Sequence, residues 1–215
     1  MINWVIEIKK TLNINSFIGN QKKIYIFLIG LISIGILFGT TFSFIINDVD
    51  KILVKNQLEA FFILIKEGPI NYQSGLINSL LTNLLYLFGK WFLGISIIGL
   101  IIIIILLFMK SFIVGFSIGS ILLNYKFKGI IGIITYIFPH QILNLIVSLL
   151  LSFYAINFSI KLFSHLFFGQ NINFKKTMNR YVKILIICLI SFVLISLIET
   201  FMSPFIIKLF TFLIN

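Results

Sequence analysis

Carboxylates, cysteine and histidine are all scarce in this chain. It has 215 residues, six of them Asp or Glu, two His and one Cys. A lone cysteine, Cys188, forms no internal disulfide and gives no sign of an oxidising compartment. It sits inside an apolar run with nothing nearby to generate a thiolate, so a small packed or lipid-facing side chain is the reading. The two histidines, His140 and His165, stand 25 residues apart with no cysteine or acid beside either. Zinc needs about three or four protein ligands, so no metal site can be assembled. There is no HExxH, no GxSxG and no Walker phosphate loop, and five of the six acids fall outside the apolar runs. A hydrolase would need a nucleophile, a base or a metal set. The sequence therefore points away from an enzyme, and no cofactor is called for.

What the chain has in excess is apolar surface. Hydrophobic residues make up 60%, charged residues only 11%, and the mean hydropathy is +1.13. A soluble domain carries about 25% charged residues. So much apolar surface cannot be hidden within one water-soluble core, and lipid must cover part of it. The net charge of +11 raises the question of nucleic acid. Most of the charges, however, cap apolar runs, and no basic stripe with interleaved aromatics lies outside them, so nucleic-acid binding is excluded.

Residues 1–23 are polar to mildly amphipathic and hold Lys9, Lys10, Lys22 and Lys23. Ile24 to Ile46 is a run of 23 apolar-rich residues, enough for about 30 Å of hydrocarbon and too long for a cleavable signal. It reads as a retained anchor. The 47–90 region is balanced, with Asp48, Asp50, Glu59 and Glu67 against Lys51, Lys55, Lys66 and Lys90. Within it Leu58, Phe61, Phe62 and Ile65 fall at helical spacing. After a Gly68-Pro69 break, Leu76, Ile77, Leu80, Leu81, Leu84 and Leu85 oppose a polar side of Asn78, Ser79, Thr82, Asn83 and Tyr86. Such patterns fit amphipathic helices in the membrane interface, or equally a packed hairpin between spans.

Trp91 to Met109 reads as a second span, ended by Lys110. Two shorter pieces, Ser111–Tyr125 and Gly129–Phe138, are parted by Lys126 and Lys128, a pattern of broken or tilted helices. Pro139–Phe168 and Tyr181–Met202 complete the spans, and Pro204–Asn215 reads as a short interfacial helix. The predicted fold is all-α: one integral membrane domain over residues 1–215, a polytopic transmembrane helical bundle of about five spans with interfacial amphipathic helices. Lysine and arginine then set the orientation. The 1–23 segment and the basic 165–183 loop, with Lys161 at its edge, both belong in the cytoplasm, so the crossings between them must be even in number. The spans 24–46, 91–109, 111–125 and 139–164 give four. The 47–90 region and the C-terminus fall outside.

Gly35, Gly39 and Ser43 recur every fourth residue in the first span, as do Ser111, Gly115 and Gly119 in the third. Small residues at this spacing let helix backbones approach closely in lipid, either within the chain or as a face for a homo-oligomer. Glu199 is the one acid inside a span; an ionised carboxylate at the bilayer centre costs about 2.5–3.5 kcal/mol on insertion scales. It suits a structural hydrogen bond or a part in ion movement, and Ser203-Pro204 one turn later places the helix end nearby. Pro139 predicts a helix break before His140, which reads as a satisfied or interfacial histidine.

The stretch WFLGISIIGLIIIIILLFMKSFIVGFSIG, Trp91 to Gly119, resembles the signature of the stage II sporulation protein M family. The likeness continues through Phe138-Pro139, Ile160-Lys161-Leu162, His165-Leu166-Phe167, Arg180-Tyr181, Glu199 and Ser203-Pro204, so it covers essentially the whole chain. The resemblance implies a role in engulfment, when the mother-cell membrane migrates around the forespore. It implies a non-enzymatic scaffold for stage II sporulation proteins P and D, which remodel septal peptidoglycan. In the wider superfamily an acid often follows the Pro-His pair; here Asn144 stands at that position, which puts in doubt any activity needing a carboxylate there. The rival reading is a small permease or the membrane subunit of a transporter, prompted by the broken third segment and Glu199.

Overall fold

The computed structural model describes residues 14–67, 71–168, 173–202 and 204–208, and these are helical almost throughout with no strand among them. The helices are α1 (Ile14–Ile45), α2 (Asp48–Glu67), α3 (Tyr72–Ile95), α4 (Gly99–Gly132), α5 (Leu143–Phe168) and α6 (Phe174–Leu197). Two π-helical segments, Ile133–Ile142 and Ile198–Met202, lead into α5 and out of α6. Asparagines start two of the helices: the side chain of Asn71 accepts from the Ser74 N–H, and that of Asn173 from the Lys176 N–H, each at 3.1 Å. Gly68-Pro69, Ser203, most of the 1–23 segment and the end of the 204–215 tail lie outside the described residues.

Five helices are long and apolar enough to cross a membrane: Gln21–Ile45, Tyr72–Ile95, Gly99–Gly132, His140–Phe167 and Phe174–Lys208. The total is the one the sequence suggests, but the second and third are placed differently. Trp91–Met109 is not one helix. At Ser96 the backbone is extended (φ −99°, ψ 142°), its N–H returns to the Leu93 carbonyl at 3.0 Å, and α4 begins at Gly99. Gly99 is needed there because a Cβ would collide with the Leu93 backbone. Apolar Ile97 and Ile98 hide this turn in the sequence. Tyr72–Ile95 is thus itself a candidate span, and only residues 46–71 connect it to α1.

The Lys126-Lys128 interruption is a chain reversal. Lys126 has φ 49° and ψ −129°, a conformation costly for any residue with a side chain, and Gly129 comes back against Ile121. Beyond it the chain returns antiparallel along α4. Ile137 packs on Val114 and Ile121, and Lys110 Nζ donates to Asn144 Oδ1. The predicted break at Pro139 falls within the wide turns of Ile133–Ile142.

The α1–α4 pair is held by the small-residue repeats. A Cβ on Gly35 would strike Ser111 Oγ, one on Gly39 the Phe112 carbonyl oxygen, one on Gly115 the Ile36 carbonyl and one on Gly119 Ser43 Oγ. Thr40 Oγ1 adds bonds to the Ile36 carbonyl at 2.7 Å and the Gly115 carbonyl at 3.2 Å. The face that fits self-association is filled within the chain. Elsewhere the core divides into Leu28, Ile103, Leu107, Ala155 and Phe158 at one end, and Leu87, Leu151, Cys188, Phe192 and Ile195 further along.

Alanine substitution separates close packing from helix propensity. Gly115→Ala forces a methyl against backbone and should destabilise by about 1–3 kcal/mol. Gly30→Ala meets nothing within 4 Å and should be neutral or slightly stabilising. Thermal unfolding of both variants in detergent reads the difference.

Candidate functional site

Helix α3 carries Ser79, Asn83, Tyr86 and Lys90 at intervals of four, three and four, which sets all of them on one face. That face points into the bundle. Asn83 and Lys90 are buried, whereas Leu81 and Leu85 of the leucine face are exposed. Opposite stand Asn144, Ser148 and Ser152, one per turn on α5; Lys110 comes from α4, Ser196 from the end of α6 and Glu199 from the π-helical segment after it. Together they form a polar seam through an otherwise apolar bundle.

The bonds along the seam run without an obvious gap at its centre. Lys90 Nζ donates to Ser148 Oγ at 2.9 Å and Ser152 Oγ at 2.8 Å, and lies 4.4 Å from the centroid of the Tyr86 ring. The Tyr86 hydroxyl shares a hydrogen bond with Ser148 Oγ at 2.8 Å. On the same ring sits Lys110 Nζ, 3.9 Å from the centroid, and it donates to Asn144 Oδ1. Asn144 Nδ2 donates to Asn83 Oδ1 at 2.8 Å, and Asn83 Nδ2 to Ser196 Oγ at 2.9 Å. At the end of α6, Ser79 Oγ donates to Glu199 Oε2 at 2.5 Å.

A lysine offers up to three donors on a flexible stem, and a polar group left unpaired in lipid costs several kcal/mol. Lys90 is fully buried, so its amine depends on the two serines and the aromatic face. Lysine beside serine is also the pairing of some hydrolytic sites. Here Lys90, Ser148 and Ser152 are all 0% exposed, which denies a substrate carbonyl any approach. Among the described residues no three His, Cys, Asp or Glu come together to hold a metal ion.

Of the residues singled out from sequence, the structure brings Asn144 and Glu199 into the seam. His140 is buried in the π-helical segment one turn before Asn144. Gly35, Gly39, Ser43, Ser111, Gly115 and Gly119 lie apart, between α1 and α4. Pro139 is within Ile133–Ile142, and Pro204 opens the short helix at 204–208, where a missing N–H is harmless. Lys90 and Lys110 are the residues sequence reasoning missed. Each follows or precedes a long apolar run and so resembles an interfacial charge. The available signal was the α3 periodicity, whose polar side turns inward.

Removing partners should cost more than removing the lysine. The Ser148→Ala/Ser152→Ala double variant strips Lys90 of both acceptors and should lose about 1–3 kcal/mol. Adding Lys90→Met, of similar volume, should recover most of it. Melting temperatures of the three proteins in one detergent check the order.

No curated protein and no solved structure matches the chain. The family model for Stage II sporulation protein M matches residues 24–204, a stretch that takes in most or all of each of the five candidate spans. The chain, a multi-pass helical membrane protein, belongs to the Stage II sporulation protein M family.

Proposed function

We propose that the chain is a non-catalytic membrane scaffold of forespore engulfment, which gathers stage II sporulation proteins P and D at the septal and engulfing mother-cell membrane. Membership of a sporulation family supports the process. The observation that carries the scaffold reading is α2. It touches the rest of the molecule through Leu58, Phe62 and Ile65, packed by Tyr125 and Ile207. Val49, Ile52, Leu53 and Leu64 are left exposed among Asp48, Asp50, Lys51 and Lys55. A helix with one face docked and another apolar face open is suited to a protein partner. The lysine and arginine distribution orients the N-terminus to the cytoplasm, which sets α2 on the outer side with the peptidoglycan.

Two measurements test this. Ile52→Ser/Leu53→Ser should reduce co-purification of protein P or D several-fold without changing expression; undiminished recovery would exclude this surface. Deletion of the gene, followed by membrane-dye microscopy of sporulating cells, should arrest engulfment.

The seam supports a second reading, a small permease or transporter subunit, because intramembrane polar residues often line pathways. Glu199→Gln and Lys90→Met separate the two. A scaffold keeps engulfment in both variants as long as it folds, whereas a pathway loses it in a folded protein.

A further inference from the structure

The chain reversal at the end of α4 has an outward side that neither the seam nor α2 uses. Lys126, Phe127 and Lys128 form its tip, and all three are exposed. Phe127, at 88%, is the most exposed large apolar side chain among the described residues. Beyond it Ile130 and Ile134 are exposed as well. Positions 127, 130 and 134, at intervals of three and four, share one face of the returning helix. An apolar stripe therefore leads from the tip back down the side of the bundle. At φ 49° Lys126 carries backbone strain that glycine would avoid, which points to its side chain as what the position supplies.

The packing of α1 on α4 fixes the height of this tip. Gly35 lies against Ser111 and Ser43 against Gly119, so the two helices run parallel and in step. Lys23 is then level with Gly99, and Ile45, the last residue of α1, is level with Ile121. From Gly99 to Tyr125 α4 climbs about 40 Å at 1.5 Å per residue. Hydrocarbon occupies about 30 Å of a bilayer, and about 40–45 Å with the headgroups. The last turns before Lys126 thus stand among headgroups, and the stripe below Phe127 re-enters hydrocarbon. Tyr125 is of a type enriched at this level. Glu59 of α2, whose charge reaches Tyr125, is itself paired with Lys55 at 3.7 Å.

We propose that the tip is a docking surface for an anionic phospholipid in the leaflet on the α2 side of the bundle. Lys126 supplies the cation that meets the phosphate, and Lys128 adds to the positive potential around it. Phe127 lies at the level of the glycerol and the upper acyl chains, one of which runs down Ile130 and Ile134. Helix α2 packs on the residue before the tip, with Phe62 and Tyr125 ring centres 5.8 Å apart. The anchor therefore also sets the height at which α2 is held. A dissolved phosphate meets the lysines but leaves the stripe unused, so the two sources are separable. The proposal is independent of the scaffold reading and needs only that the bundle resides in a bilayer.

Tryptophan fluorescence of the full chain in vesicles tests it. Phe127→Trp is read against the parent, whose Trp4 and Trp91 emission is subtracted. The vesicles mix phosphatidylcholine and phosphatidylglycerol, with bromine near the top of the acyl chains of one lipid or the other. The added emission should be quenched more strongly when the bromine is on phosphatidylglycerol, and should resist iodide in the water. Adding Lys126→Gln should lower that preference about fivefold, and Lys22→Gln/Lys23→Gln, at the other end of the bundle, should leave it unchanged. Should Lys126→Gln fail to fold, Lys126→Gly removes the same charge at a φ that glycine adopts freely. Equal quenching by the two lipids, quenching by iodide alone, or loss of the preference to inorganic phosphate at constant ionic strength would overturn the assignment. So would shielding from bromine and iodide alike, the result expected of a protein partner on the stripe.

Discussion

The constraint that organises this molecule is that a polar group carried into hydrocarbon must find its partner inside the protein. The seam between α3, α4, α5 and α6 obeys it residue by residue: Lys90 on two serines, Lys110 on Asn144, Asn144 on Asn83, Asn83 on Ser196. The seam in turn fixes which side of α3 faces inward. Leu81 and Leu85 on the opposite side are left to meet lipid, and the helix is inverted relative to the same pattern in water. Four helices are keyed in rotation by this set of bonds, which apolar packing alone specifies poorly.

A different device aligns the remaining helix. Between α1 and α4 there is little polar chemistry, only the absence of side chains: Gly35 and Gly39 admit Ser111 and Phe112, and Gly115 and Gly119 admit Ile36 and Ser43. Dispersion at short range replaces the hydrophobic effect, which does not act between helices already in lipid. The bundle thus joins a hydrogen-bonded group to a close-packed pair through α4, which belongs to both. Helix α2 belongs to neither and is held by a handful of apolar contacts.

The sequence made the architecture legible because the apolar excess leaves few alternatives, and the every-fourth-residue small side chains announce close approach. Its errors share one physical origin. Trp91–Met109 is read as continuous since Ile97 and Ile98 are as apolar as the helices they separate, and the signal of the turn is carried by Ser96 and Gly99 alone. Lys90 and Lys110 are read as interfacial because hydropathy along the chain reports where apolar runs stop, not what stands across from a residue. Ser148 and Ser152, the partners of Lys90, lie some sixty residues from it along the chain, beyond the reach of any local pattern. Asn144 is visible from resemblance, but its bond to Lys110 needs the reversal at Lys126 to bring the two together.

The three-residue link between α3 and α4 also bears on how the molecule is made. The turn is too short to separate the two helices, of which α3 carries the buried Lys90 and α4 the half-buried Lys110. The groups that satisfy Lys90 are on α5, which is synthesised later than both. Until α5 arrives the nascent hairpin holds an uncompensated amine, so it must linger in a hydrated environment before partitioning laterally. The placement of α3 in the bilayer is accordingly tied to that of α5, because Lys90 gains its two acceptors only when α5 is present.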